Sequence, residues 1–175
     1  MRRQLDKQVD LVLDGGPCRV GVESTIVSLA DTQPVLLRAG GLPVEEIERV
    51  IGAVLRPCSA PDRSVAPGQL SQHYAPRTPL ILQAGTSEPP SHMRTGLLSF
   101  RSPVKMEGFA SVEVLSPSGD LREAAANLFA ALHRLDALGL DLIVADSVPD
   151  AGLGLAINDR LCRASAGTRH AEKAP

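Results

Sequence analysis

The chain has 175 residues, 43% hydrophobic and 22% charged, with a formal net charge of −2, a globular balance sized for one ordinary domain or two small ones. No apolar run approaches the ~18 residues of a membrane span, which excludes one. Four aromatic side chains (Tyr74, Phe100, Phe109, Phe129) are too few for a base-stacking surface, and nine basic against nine acidic residues in 1–78, then nine against eleven in 79–175, exclude the basic footprint of a DNA-binding module.

The N-terminus, MRRQLDKQVD, is charged and leads into no signal-type apolar core. Val9–Leu13 (VDLVL) is short, apolar and β-branched and stops at Asp14-Gly15-Gly16-Pro17, so it reads as a buried strand running into a turn. Glu23–Leu29 (ESTIVSL) reads as a second strand, closed by the turn Asp31-Thr32-Gln33-Pro34, and Val35–Arg38 as a third, closed by Gly40-Gly41. Pro43 suits a helix start, and behind it Val44, Ile47, Val50, Ile51, Val54 and Leu55 recur at helical spacing. Three strands and one helix in so short a piece cannot close a core well.

Residues 57–79 hold five prolines (57, 61, 67, 76 and 79) and few apolar side chains, the composition of an extended linker. Its His73-Tyr74 pair is more than a spacer needs and suggests a contact. Beyond it strands and helices alternate. Leu80–Gln83, Gly96–Phe100, Val112–Leu115 and Leu140–Ala145 read as short buried strands. Leu121, Ala124, Ala125, Leu128, Phe129, Leu132, Leu135 and Leu138 form one apolar helical stripe, capped by Asp120 with Glu123 as a reaching acid and stopped by Gly139. Gly152–Arg163 reads as the last helix, and the tail from Thr168 is polar. This alternation implies a parallel sheet with right-handed crossovers.

Among residues that could carry chemistry, Cys18, Cys58 and Cys162 are odd in number and form no CxxC pair. They exclude a disulfide framework or zinc ribbon and read as buried thiols in a reducing cytosol. Four scattered histidines (73, 92, 133, 170) offer no i,i+4 metal pair, and His133 falls on the polar side of its helix. Gly152-x-Gly154 lacks the third glycine of a dinucleotide fingerprint. Gly15-Gly16 could cradle an anion or form a strand-end turn. Gly21-Val22-Glu23-Ser24-Thr25-Ile26-Val27 is the informative stretch. Alternation puts Glu23 and Thr25 on one strand face and Ser24 on the other. Such polar side chains either bond neighbouring backbone or hold a small polar ligand. Arg38, at the end of the next strand, suits either a salt bridge or a phosphate or carboxylate clamp.

In order, GVESTIV (21–27), LLRAGG (36–41), PVEEIERVIG (43–52), PGQLSQHYAP (67–76) and AAANLFAALHRLDALGLDLIVADSVPDAGLGLAINDRLCRA (124–164) resemble the two-domain form of the YrdC-type threonylcarbamoyl-AMP synthase family. The resemblance runs from about Val9 to Ala166. It departs at Ala39, often proline in the family, and at Ala66, often serine. The fold it implies is α/β. Residues 1–56 would be the C-terminal part of a YrdC-like twisted α/β catalytic sheet, 57–78 a Pro-rich linker, 79–167 a small Rossmann-like parallel α/β/α accessory domain, and 168–175 a polar tail.

The activity implied by the resemblance joins L-threonine, bicarbonate and ATP, with magnesium, into threonylcarbamoyl-AMP and pyrophosphate. A partner enzyme then modifies adenosine 37 of tRNA. By the same resemblance Ser24 binds threonine, Arg38 binds ATP and Tyr74 reaches over the nucleotide, and the setting is cytoplasmic. The family's Lys-x-Arg and Ser-x-Asn motifs, which grip ATP and its metal, are missing from this sequence. Met1 falls inside what resembles the helix before the DLVLDGG strand, so the resemblance implies a C-terminal portion, inactive alone, with a further N-terminal half as partner. The alternatives are a non-catalytic module that binds protein or RNA and an inert remnant.

Overall fold

The computed structural model describes residues 9–13, 15–16, 18–56, 75–83, 88–103 and 105–166. In chain order they form β1 (Ile26–Ser28), β2 (Val35–Arg38), α1 (Val44–Ile51), β3 (Leu80–Gln83), β4 (Thr95–Ser99), β5 (Ser111–Val114), α2 (Leu121–Asp136), β6 (Leu142–Asp146) and α3 (Leu153–Ala166). The strands make two sheets: the antiparallel pair β1-β2 and a four-stranded parallel sheet in the order β3-β6-β4-β5.

The parallel sheet has its two central strands, β4 and β6, buried along their whole length. Both faces of a parallel strand are covered, so LIVA in β6 is apolar on consecutive residues rather than alternate ones. Leu98, Ile143 and Ala145 face α2 and α3 in one core with Leu128, Leu135, Ile157 and Leu161. Leu97, Leu142 and Val144 form a smaller cluster with Phe109 and Val112. At the carboxyl edge Gln83 pairs with Asp146, and Ser99 Oγ donates to Asp146 Oδ2 at 2.7 Å.

The α2 N-cap is Asp120, whose carboxylate accepts from the N–H groups of Arg122 (2.7 Å) and Glu123 (2.8 Å). Glu123 reaches back to Ser116 rather than to the cap. The Ser116 hydroxyl donates to its carboxylate and accepts the Asp120 N–H at 2.9 Å. The helix ends at Asp136, two residues before the apolar stripe does, and Gly139 takes a left-handed φ of 61° beyond it.

Residues 9–56 differ from the sequence-based expectation in three places. Val9–Leu13 is exposed and forms no strand: a strand needs a hydrogen-bonded partner, and among the described residues this stretch pairs with none. β1 is confined to Ile26–Ser28, so Glu23, Ser24 and Thr25 precede it. α1 stops at Ile51 because Gly52 turns out with φ 84°; Leu55 then bridges Val35, with N–H···O bonds of 2.8 Å to Leu36 and Pro34. Pro43 is the N-cap, Glu45 and Glu46 occupy the first turn and Arg49 the last, as the helix dipole favours. The thiols of Cys18 and Cys162 are exposed rather than buried, since neither lies on a core-facing position. Cys58 is outside the described residues.

Candidate functional site

Ser24 and Arg38 meet. The β1-β2 pairing sets Ile26 opposite Arg38, which brings the guanidinium back along the chain to Ser24. Arg38 Nε donates to the Ser24 carbonyl at 3.1 Å and Nη2 to the Ser24 hydroxyl at 3.2 Å. A cation and a hydroxyl thus share one exposed spot at the end of a strand, suited to an anionic or amino-acid ligand. Tyr74 and His73 lie outside the described residues.

The backbone beneath Ser24 is gripped by residues 40–42. Gly41 N–H donates to the Glu23 carbonyl at 2.7 Å. A Cβ on Gly40 would run into the backbone of Glu23, Ser24 and Thr25, so only glycine permits this approach. Thr25 Oγ1 donates to the Leu42 carbonyl at 2.5 Å and accepts the Leu42 N–H at 3.2 Å. Of the two readings open for the ESTIV hydroxyls, Thr25 takes the backbone-bonding one. Ser24 stays exposed and its hydroxyl accepts from Arg38.

Glu23 points to the other side. Its carboxylate accepts from Arg160 Nε at 3.1 Å and Nη2 at 2.7 Å, with Arg160 itself 1% exposed. The sequence holds the signal for this pair: Arg160 falls on the apolar stripe of α3 with Ala156, Ile157, Leu161 and Ala164, where a charge requires a partner. Spacing does not show that the partner is Glu23, 137 residues away.

Other candidates resolve simply. Gly16 takes a left-handed φ of 80°, which glycine adopts readily. Gly154 is glycine because a Cβ there would strike the Pro149 carbonyl, a packing requirement rather than a cofactor one. His133 is exposed. Among the described residues no three His, Cys, Asp or Glu side chains gather as a metal-binding group, and no helix is long and apolar enough to cross a membrane. A cavity of about 410 Å³ opens between Glu88–Met93 and Lys105–Phe109, lined in part by Pro89, Met93 and Phe109; neither Ser24 nor Arg38 borders it.

Comparison with known proteins completes the picture. The family described as threonylcarbamoyl-AMP synthase, C-terminal domain, matches residues 42–166, and the family described as telomere recombination matches residues 1–40. The threonylcarbamoyl-AMP synthase of Pyrococcus abyssi is 38% identical over 172 residues, covering 90% of this chain and 50% of its own length. That of Bacillus subtilis is 37% identical, covering 93% and 51%. The Schizosaccharomyces pombe synthase is 31% identical, covering 92% and 46%. Among solved structures, P. abyssi Sua5 complexed with L-threonine superposes with a TM-score of 0.74 at 37% identity, covering 89% of this chain and 49% of that one. A variant of P. abyssi Sua5 with a consecutive histidine and tyrosine changed to alanine gives 0.73. The chain spans about half the length of the curated relatives it matches. With the C-terminal-domain match covering most of its length and both sheets in place, it belongs to the threonylcarbamoyl-AMP synthase family.

Proposed function

We propose that this chain is the part of a threonylcarbamoyl-AMP synthase that carries the Ser24–Arg38 substrate contacts. On this reading residues 1–56 belong to the catalytic domain, 57–78 link, and 79–167 form the accessory domain. The amine of L-threonine takes up the carbon of bicarbonate as a carbamate with loss of water. A carbamate oxygen then displaces pyrophosphate from the α-phosphorus of ATP. The product feeds modification of adenosine 37 in tRNA, which sets the protein in the cytoplasm.

The observation that carries the reading is the Arg38 fork bonded to Ser24, 3.2 Å to its hydroxyl, in a chain similar to a Sua5 structure complexed with L-threonine. Ser24 would bind threonine through its hydroxyl and Arg38 would offer its guanidinium to ATP phosphate. Tyr74 would cover the nucleotide; His73-Tyr74 is a consecutive pair like the one replaced in the second solved relative. Magnesium would arrive with ATP. The described residues gather no carboxylate cluster to hold it, so its ligands would be the phosphates and groups elsewhere in a whole synthase.

Surface chemistry supports a further part of the catalytic sheet as partner. Before residue 78 the buried large apolar side chains among the described residues are Val44 and Val54, whereas Leu11, Leu13, Leu29, Val50 and Leu55 are exposed. That much apolar surface suits a covering neighbour.

The test is reconstitution. The upstream half of the B. subtilis synthase is fused ahead of Met1, and threonine- and bicarbonate-dependent pyrophosphate release is measured with magnesium and ATP. The fusion should make threonylcarbamoyl-AMP and the chain alone should not, since loss of even one preorganised donor costs ~100-fold or more. Ser24→Ala should raise the threonine KM, Arg38→Ala the ATP KM, and Tyr74→Ala should weaken ATP use without unfolding. An inactive but folded fusion, or equal small effects of all three changes on both substrates, would overturn the assignment and favour a non-catalytic binding module.

A further inference from the structure

The geometry points to Arg160 as a positioning residue: from α3 it holds Glu23 and so sets the place of the adjacent Ser24–Arg38 pair. This inference rests on the proposal that Ser24 and Arg38 contact substrate. The Arg160 side chain is 1% exposed, on the buried face of α3 that also carries Ile157, Leu161 and Ala164. A charge so placed requires anionic partners in fixed positions. Its Nη1 donates to Asp159 Oδ2 at 2.6 Å, and Asp159 is held in turn by Arg163, with Nε at 3.0 Å and Nη2 at 2.8 Å from Asp159 Oδ1. The fork is thus oriented within α3, and its Nε and Nη2 both reach Glu23 Oε2.

Glu23 cannot shift without moving Ser24. Its carbonyl is tied to the Gly41 N–H, and the Gly40 backbone leaves no slack over residues 23–25. The next carbonyl and hydroxyl along, those of Ser24, are the acceptors for Arg38. Residues 23–25, just ahead of β1, are therefore clamped on one side by residues 40–42 and on the other by a helix of the parallel α/β unit. Through Arg160 that unit acts on the candidate site without bordering it.

The experiment uses the full chain with ¹⁵N NMR and two variants, Arg160→Lys and Glu23→Gln. Arg160→Lys keeps the charge and loses the fork. Glu23→Gln preserves shape should the first variant fail to fold. The expected result is at least tenfold faster amide exchange at Gly41 and Leu42 and a displaced Arg38 Nε–H resonance. Exchange at Leu128 and Ile157 should be unchanged, and affinity for added L-threonine at least tenfold weaker. An unmoved Arg38 resonance with unaltered Gly41 and Leu42 exchange overturns the inference. So does equal acceleration at all four amides, which marks Arg160 as a general stabiliser. If the local changes appear but the unsubstituted chain does not bind L-threonine, the positioning role stands and the threonine reading of Ser24 falls.

Discussion

Ser99 and Ser24 each share a side-chain hydrogen bond with a charged group, and burial decides what each bond is worth. Ser99 donates to Asp146, which is 7% exposed and whose other oxygen, Oδ1, is buried with no partner. Ser99→Ala would leave both carboxylate oxygens without a side-chain donor, at a cost of about 1–3 kcal/mol. Ser24 is exposed, so water replaces whatever Arg38 loses in Ser24→Ala, and the stability change should stay within about 0.5 kcal/mol. Urea unfolding of the two variants checks the contrast. A Ser24→Ala loss as large as that of Ser99→Ala would make Ser24 a structural residue.

At the scale of elements, α2 is fastened to the approach of β3 through Asp136, whose Oδ1 accepts the Thr78 N–H at 2.8 Å and whose Oδ2 lies 3.6 Å from Arg77. Burial pushes this carboxyl up, but the Thr78 backbone and hydroxyl donors, with the Arg77 backbone and charge, outweigh it and hold it below its ordinary value. A carboxyl lowered on folding stabilises the fold above its unfolded value of about 3.9, and that contribution disappears as pH falls through the lower folded value. Asp136→Asn should therefore be less stable than the parent by about 1 kcal/mol near pH 6. The gap should narrow in urea titrations as pH falls below about 3.9, and a gap constant with pH would refute the linkage. The start of α3 makes a second case. Alanine normally favours a helix over glycine by ~1 kcal/mol, yet Gly154→Ala would press a Cβ into the Pro149 carbonyl. A loss of about 1–3 kcal/mol is expected, and a gain would show that the loop yields.

Over the whole molecule, residues 18–56 are attached to the parallel α/β unit at few points. Val22 packs against its core, Glu23 pairs with Arg160, and Gly21 lies so close to α2 that a Cβ would strike the Ala125 carbonyl and Ala126 Cα. Gly21 also has φ 74°, a conformation that costs other residues about 1–2 kcal/mol. Gly21→Ala should loosen this attachment by about 2 kcal/mol or more, roughly a thirtyfold change in the open population. Trypsin should then cut after Arg38 and Arg49 about tenfold faster or more. Sites in α2 and α3, such as Arg134 and Arg160, should keep their protection. Parallel acceleration at all four sites would mean that the two parts unfold as one.

The sequence by itself determined the parallel unit: its strands, its two helices and the Asp120 cap follow from short-range periodicity and local hydrogen-bonding chemistry, which act over a few residues. It also determined that Ser24 and Arg38 were candidates, because the motif order specified a family and a two-stranded pairing brings near neighbours together. Tertiary structure alone decided the rest. Apolar Val9–Leu13 is not a strand here, since a ladder needs a partner edge that composition does not reveal. Leu55 leaves the helical stripe to bridge Val35, a competition settled by Gly52 and by the open edge of β2. The pairing of Glu23 with Arg160 arises only when α3 folds against the sheet and a buried guanidinium takes the carboxylate within its reach, whatever the distance along the chain.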